Sequence, residues 1–197
     1  MVNVFRALLN PRSVAIIGAS SDKNKLNGRP QYFMQRDGFE GKIYPVNPKY
    51  DNIRGLVCYP NIESLPEVPD LAIVIVRAAE VVKVIAKLGG HGVKVAIIFS
   101  SGFAELGHEG RIREAKLTDI ARACGVRILG PNNLGVINSF ICMPATFSQY
   151  ADIPPHSGPI AFASQSGAFG TGIAALARSR GLGIGYFVNT GNEADIT

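Results

Sequence analysis

Short runs of apolar residues alternate with more polar segments along the first 130 residues of the chain. Most of these runs are unbroken rather than alternating, which is typical of strands buried on both faces of a parallel sheet. Pro45 falls inside the second run and predicts an edge position or a strand end, because proline cannot donate to a sheet hydrogen bond. The predicted strands cover residues 13–18, 42–46, 70–76, 93–99 and 126–129.

Segments with helical spacing of apolar residues separate these strands. The first has Pro30 in its opening turn and closes at Gly38, and Gly89-Gly90 is expected to end the second. The alternation predicts an α/β fold, a Rossmann-like doubly wound parallel sheet with helices on both faces. The predicted helices cover residues 29–37, 78–88 and 109–124, and a short further strand is expected over 134–137.

The strand–helix pattern restarts after a proline-rich joint at residues 154–159. A single βαβ unit of about 30 residues or more cannot bury both faces of its sheet by itself. We therefore expect one domain over residues 1–150 and the incomplete first part of a second over 155–197, in a fragment or in a chain that a partner completes. Its open strand edge predicts a homo-oligomer or poor solubility. The restarted pattern predicts strands over 160–163 and 184–188 and a helix over 169–180.

Composition narrows the class of protein further. The chain is 47% hydrophobic with a formal net charge of +5, and no block of like charges suggests a nucleic-acid-binding arm. No signal peptide and no membrane-length apolar run is found, so we expect a cytoplasmic protein. Cys58, Cys124 and Cys142 lack metal-site spacing and are expected to be reduced and at least partly buried.

Ligands of open parallel sheets bind beyond the carboxyl ends of the strands. Nearly every predicted strand here ends in small or polar residues, which would gather backbone N–H groups, hydroxyls and amides along one edge. Such an edge suits the phosphate groups of a nucleotide. The candidates at the strand ends are Gly18, Ala19, Ser20, Ser21, Asn47, Lys49, Arg77, Ser100, Ser101, Asn132 and Asn133.

The first of these loops does not match a nicotinamide dinucleotide site. It reads GASSDKNKLNG over residues 18–28 and lacks the second and third glycines of G-x-G-x-x-G. The second strand ends in Asn47-Pro48, without the carboxylate that would hold a ribose diol. Lys23 and Lys25 favour a ligand with an additional phosphate. No Walker A motif is present, so a P-loop enzyme is unsupported.

Six motifs occur in order along the chain: SVAIIGAS at 13–20, GRP at 28–30, IYPVNPKY at 43–50, FSSGFAE at 99–105, LGPN at 129–132 and SQSG at 164–167. Together they resemble the NDP-forming acyl-CoA synthetases, relatives of the succinyl-CoA synthetase α subunit. The resemblance implies a CoA-binding domain followed by the start of a flavodoxin-like ligase domain. It extends over essentially the whole chain.

The resemblance also implies roles for particular residues. Coenzyme A would be the cofactor, with its phosphates on the loop of residues 20–25, its nucleotide end near Lys49 and its thiol end near Asn132. Phosphate or the acyl group would bind at the start of a helix, where free N–H groups attract anions. The pantetheine path would follow Phe99, Ser100 and Ser101, and the phosphate loop would be Ser164, Gln165, Ser166 and Gly167.

The family reaction converts acyl-CoA, phosphate and ADP into a carboxylic acid, CoA and ATP through an acyl phosphate and a phosphohistidine. The family's phosphohistidine and ATP-grasp domain would lie outside these residues, so ADP, ATP and Mg²⁺ would enter only through a longer chain or a partner subunit. No catalytic or metal-binding residue is expected here, because His91, His108 and His156 lack the family's context. Arg77 and Asn133 depart from the family, in which proline and cysteine or serine are common.

Two alternatives remain open at this point. Relatives of this kind of domain include a CoA-sensing regulatory module fused to a protein acetyltransferase, which the same motifs would fit. An NAD-dependent Rossmann oxidoreductase is favoured less, because the glycine pattern and the acidic residue are missing.

Overall fold

The computed structural model describes residues 3–197, which form two main sheets, a small hairpin and five α-helices. None of these helices is both long and apolar enough to cross a membrane. The strands are β1 Ser13–Ile17, β2 Lys42–Val46, β3 Asn52–Ile53, β4 Leu56–Val57, β5 Leu71–Val74, β6 Val95–Ile98, β7 Arg127–Leu129, β8 Gly135–Asn138, β9 Met143–Thr146, β10 Ile160–Ser164 and β11 Ile184–Asn189, and the helices are α1 Val4–Leu9, α2 Arg29–Asp37, α3 Ala78–His91, α4 His108–Ala123 and α5 Gly167–Ser179.

The first sheet is parallel throughout and has the strand order β2-β1-β5-β6-β7. Every residue of β1, β5 and β6 is buried, which explains their unbroken apolar runs. α3 and α4 cover one face, while α1, α2 and the β8–β9 hairpin cover the other. The predicted doubly wound α/β fold is therefore confirmed, and β2 lies at the sheet edge as Pro45 predicted.

The second sheet has the order β10-β11-β8-β9 and mixes strand directions. β10 and β11 are parallel, whereas β8 runs antiparallel to both β11 and β9. The short strand expected near 134–137 thus exists as β8 but belongs to this sheet, and the sequence did not predict β9. The division near residues 150–155 stays a prediction, and strands from both sides of it pair in this sheet.

The predicted end of α3 at Gly89-Gly90 is wrong, because the helix continues through both glycines to His91. A Cβ at Gly89 would lie 2.4 Å from the Cβ of Cys124, so this glycine permits a close approach to the end of α4. Gly92 is the residue that ends the helix, with a left-handed φ of 101°.

The cysteines differ in exposure. Cys58 is buried and Cys124 half-buried, as expected, but Cys142 is exposed, contrary to the prediction. Cys142 lies in the connection between β8 and β9 with a φ of 53°. Within residues 3–197 no group of His, Cys, Asp and Glu side chains could hold a metal ion.

The final residues return to the free edge of β7. The Ile196 N–H donates to the carbonyl oxygen of Ile128 over 3.1 Å. The Asp195 carboxylate accepts from the Ile128 N–H at 2.9 Å and from the Arg127 guanidinium at 2.8 Å. We call residues 190–197 the edge segment, because it occupies polar groups that an edge strand would otherwise expose.

Candidate cofactor and phosphate site

The loop after β1 begins at a position that requires glycine. Gly18 has a φ of +90°, and a Cβ there would lie 2.3 Å from the carbonyl oxygen of Ile75. The Asn27 side-chain amide donates to the Gly18 carbonyl oxygen at 2.6 Å, and the Ser20 N–H donates to the Asn27 carbonyl oxygen at 3.2 Å. Ala19 and Ser20 are therefore buried at the base of a compact loop.

Asn47 occupies the position at which a dinucleotide-binding domain carries its acidic residue. Its side-chain amide donates to the Ala19 carbonyl oxygen at 2.8 Å, and its side-chain oxygen accepts the Lys49 N–H at 3.0 Å. This amide joins the first two strand-end loops. The geometry supports the sequence argument against a ribose-binding carboxylate here.

A cavity of about 660 Å³, which we call the cofactor groove, lies at the carboxyl edge of the first sheet. Within residues 3–197, Lys49 and Arg77 take part in no ion pair, so their charges face the groove without a carboxylate partner. The Ser100 hydroxyl donates to the Val76 carbonyl oxygen at 2.6 Å and fixes the wall. Six predicted residues line the groove: Asn47, Lys49, Arg77, Phe99, Ser100 and Ser101.

A second cavity of about 420 Å³, the junction chamber, shares Leu26, Phe99 and Ser101 with the cofactor groove. The start of α5 forms its other side. The first N–H groups of a helix have no intrahelical partner and carry partial positive charge, so this wall suits an anion. The predicted residues that line the chamber are Phe99, Ser101, Asn132, Asn133, Gln165, Ser166 and Gly167.

Asn189 fixes the loop before α5, and the sequence analysis missed it. Its side-chain oxygen accepts the Leu134 N–H at 2.7 Å, while its amide donates to the carbonyl oxygens of Ser164 and Gln165 at 2.8 and 3.1 Å. The Ser164 hydroxyl donates to the Ser166 carbonyl oxygen rather than lining either cavity. An asparagine that closes the largely apolar run at residues 184–189 was the available sequence signal.

Asn133 lines the junction chamber, but its side chain is already hydrogen-bonded to backbone groups. It donates to the carbonyl oxygens of Leu129 and Ile98 at 2.9 and 3.2 Å and accepts the Gly135 N–H at 2.7 Å. The side chain is 2% exposed. Asn133 therefore shapes the wall, whereas Asn132 beside it is exposed.

Lys23 and Lys25 lie on the first loop but line neither cavity. The Lys23 ammonium lies 5.3 Å from the centre of the Tyr32 ring, where a cation–π contact holds it. The structure thus brings most predicted residues to one edge of the sheet, but these two lysines lie outside the lining of both cavities.

Tyr50 belongs to this edge and was not predicted. Hydrogen bonds with the Ser21 and Ser20 hydroxyls lower the pKa of Tyr50, and the charges of Lys25 and Lys49 lower it further. Tyr50 therefore lies near serines and lysines of the first two strand-end loops. An aromatic residue directly after the Asn-Pro-Lys loop was the available sequence signal.

These features define a Rossmann-like nucleotide-binding domain whose strand-end loops meet the start of a second, flavodoxin-like sheet. The chain belongs to the CoA-binding domain family, whose model matches residues 12–139. Residues 157–197 match the model of the succinyl-CoA ligase like flavodoxin domain.

Several of the similar proteins are ADP-forming ligases. The chain is 42% identical over 196 residues to the α subunit of acetate–CoA ligase (ADP-forming) I of Pyrococcus furiosus, covering 98% of this chain and 42% of that protein. It is 42% identical over 187 residues to acetate–CoA ligase (ADP-forming) I of Archaeoglobus fulgidus, covering 95% of this chain and 27% of that protein.

A solved structure of acetyl-coenzyme A synthetase 1 of Ca. Korarchaeum cryptofilum, in complex with phosphate and ADP, matches with a TM-score of 0.92 at 37% identity. The match covers 100% of this chain and 41% of that one. This chain thus spans less than half the length of these relatives. The resemblance to NDP-forming acyl-CoA synthetases is confirmed, and the acetyltransferase alternative finds no support among these relatives.

Proposed function

We propose that this chain is the CoA-binding portion of an NDP-forming acyl-CoA synthetase, which interconverts acyl-CoA, phosphate and ADP with a carboxylic acid, CoA and ATP. One observation carries the proposal. The junction chamber is lined by Phe99 and Ser101 of the first region and by Ser166 and Gly167 of the second. A cofactor's reactive end and an anion at the start of α5 would therefore share one cavity.

The residues present fit coenzyme A. Lys49 and Arg77 place positive charge beside the cofactor groove, which suits the phosphates of the nucleotide end. Phe99 faces both cavities and offers an apolar wall to the pantetheine arm between them. When bound, CoA supplies the thiol of the thioester. The chain's own part is to orient that thiol and hold an anion at the N–H groups of α5.

The rest of the reaction requires residues beyond these 197. The relatives are two to four times longer than the matched part, which leaves room for the phosphohistidine and for the ATP-grasp region that takes ADP, ATP and Mg²⁺. We propose that a longer chain or a partner subunit supplies them, in a cytoplasmic enzyme, and that these residues alone bind CoA without turnover. Self-association of this chain stays a prediction, which sedimentation would test.

Calorimetric titration with CoA and with NAD tests the proposal. We expect saturable binding of CoA and no measurable binding of NAD, because an amide occupies the ribose-binding position and cations line the groove. Binding of NAD in the absence of CoA binding would overturn the proposal and restore the oxidoreductase alternative.

Charge-removing substitutions locate the site. Lys49→Ala and Arg77→Ala should each weaken CoA binding about tenfold, since a hydrogen bond to a charged group contributes about 1.5–3 kcal/mol. Lys94→Ala is the matched control, because Lys94 is an exposed lysine just before β6, at the opposite edge of the same sheet. Equal weakening by all three variants would indicate a general charge effect rather than this groove.

A further inference from the structure

A third cavity of about 710 Å³, which we call the side groove, adjoins the junction chamber. The two cavities share part of their walls, so a ligand in the chamber lies next to the groove. Four residues line both: Leu26, Leu134, Phe147 and Ala168.

The wall nearest the chamber is apolar and open. Leu26, Leu134 and Phe147 form one side, and α5 forms the other. A Cβ added at Gly172 of α5 would meet no atom within 4 Å, so the space beside the helix is empty along this stretch. The near part of the groove therefore suits hydrocarbon rather than a charged group.

The far end carries two guanidinium groups held by the fold. Arg29 forms an ion pair with Asp152, and its Nε is buried without a hydrogen-bond partner among residues 3–197. Arg178 donates to the Tyr150 carbonyl oxygen at 2.8 Å and lies 4.5 Å from the centre of the Tyr150 ring. Asp152 balances one of the two positive charges, which leaves this end electropositive.

We propose that the side groove binds the tail of the carboxylic acid substrate, and that this substrate is an acid whose chain ends in an oxygen acceptor. The proposal rests on the proposed function, because it takes the acyl carbon to lie in the junction chamber. An acetyl group would leave almost all of the 710 Å³ vacant.

The distance along α5 from the junction chamber to Arg178 indicates how long the substrate's tail would be. Ala168 and Arg178 are ten residues apart on α5, a rise of about 15 Å. Helical side chains point back toward the N-terminus, so the guanidinium lies closer to the chamber than its Cα, on the order of 10 Å away. A tail of about six to nine atoms reaches it from the chamber.

Calorimetric binding of CoA, acetyl-CoA, hexanoyl-CoA and adipoyl-CoA to this chain tests the inference. Hexanoyl-CoA should bind about tenfold more tightly than acetyl-CoA, because its additional methylene groups move from water into contact with the apolar wall. Adipoyl-CoA has the same chain length with a terminal carboxylate and should bind about fivefold more tightly than hexanoyl-CoA, because of the arginines.

A substitution that fills the side groove tests whether the tail binds there. Gly172→Leu places a side chain in the empty space, and the gain of hexanoyl-CoA over acetyl-CoA should disappear while CoA affinity stays within twofold. Gly90→Leu in α3 is the control, since a Cβ there also meets nothing within 4 Å and the site is remote from the groove.

The outcomes separate the two proposals. Failure to bind CoA overturns the proposed function and this inference with it. Normal CoA binding with equal affinities for acetyl-CoA and hexanoyl-CoA, or a tail-dependent gain that survives Gly172→Leu, overturns the inference alone. Equal affinities for adipoyl-CoA and hexanoyl-CoA would overturn the part of the inference that places a terminal oxygen acceptor beside the arginines.

Discussion

The two sheets of this molecule bury their strands to different degrees. Every residue of β5 in the first sheet is buried, whereas Ala161 and Ala163 of β10 in the second are exposed. On the helix that packs on the second sheet, Phe169 and Leu176 of α5 are 64% and 49% exposed. Both strands read as unbroken apolar runs in the sequence. Such a run therefore indicates that a strand is suited to burial, without saying which element covers it.

The second sheet depends on the first for much of its packing. β8 and β9 pack against the first sheet's core and also pair with β11. The Asn138 side-chain amide donates to the Leu9 carbonyl oxygen at 2.7 Å, and the edge segment returns along β7. The first sheet thus has its own core, while the second shares part of its core with a neighbour.

The largest effect should come from the centre of the first sheet. Ile73→Ala removes a fully buried side chain from β5 and should lower the free energy of unfolding by about 2–5 kcal/mol. Phe162→Ala in β10 should cost only about 1–2 kcal/mol, because that side chain is half-buried. Urea denaturation of both variants measures the difference. Equal losses would contradict the contrast between the sheets.

Close packing of the helix layer on the first sheet gives the next effect. Gly89→Ala should destabilise the protein by about 1–3 kcal/mol, because the new Cβ would lie 2.4 Å from that of Cys124. The adjacent Gly90→Ala meets open space and should stabilise α3 by up to about 1 kcal/mol, since alanine favours the helix. Thermal denaturation of the two variants measures whether the first is destabilised and the second stabilised. A stabilising Gly89→Ala would show that the two helices are less tightly packed.

Local patterns predicted the first sheet well for a physical reason. The predicted bounds of α2 and β2 agree with those found, because Gly38 and Asn47 stop each element through local turn chemistry. Gly89 shows the opposite case. This residue was predicted to end a helix, but it instead allows the helix to pack closely against Cys124. Cys124 is 35 residues away in the sequence, so no local pattern could predict the contact.

For the candidate site, the sequence predicted where some side chains lie, and their binding roles stay a prediction. Strand-end position alone placed Lys49 and Arg77 beside the cofactor groove. The sequence could not show that the Asn133 side-chain amide donates to backbone carbonyl oxygens. Nor could it show that Asn189 fixes the loop before α5 by hydrogen bonds. Those roles depend on partners that folding brings together from distant segments.

A smaller effect is expected at the start of α5. Ser166 accepts the Phe169 N–H at 3.3 Å as the helix N-cap, so Ser166→Ala should cost about 1 kcal/mol. Because α5 is exposed on its outer side, we expect the loss to appear as faster hydrogen exchange within α5 and not in β5. Ser179→Ala, at the other end of the helix, is the control. Uniform acceleration across both sheets would mean that they unfold as one unit.

The smallest effect concerns the contact between the loop of residues 100–107 and the edge segment. Glu105 accepts the Gly102 N–H at 2.5 Å and the Asn192 side-chain amide at 2.6 Å. Burial alone would raise the pKa of Glu105, but these hydrogen bonds outweigh it and lower the pKa below 4.5. The carboxylate therefore stabilises the folded state above about pH 4.5, and that stabilisation is lost as the pH falls through the lowered value.

Glu105→Gln should consequently cost about 0.5–1 kcal/mol at pH 7 and less at pH 3, because the advantage of the charged carboxylate is lost progressively as the pH falls below its ordinary titration range. Urea denaturation at the two pH values measures the change, and Glu109→Gln on the nearby exposed start of α4 is the control. If the loss at pH 7 is matched at pH 3, the charge of Glu105 plays no part. The edge segment would then be held by its other contacts, which include the Asp195 carboxylate and the backbone hydrogen bonds to β7.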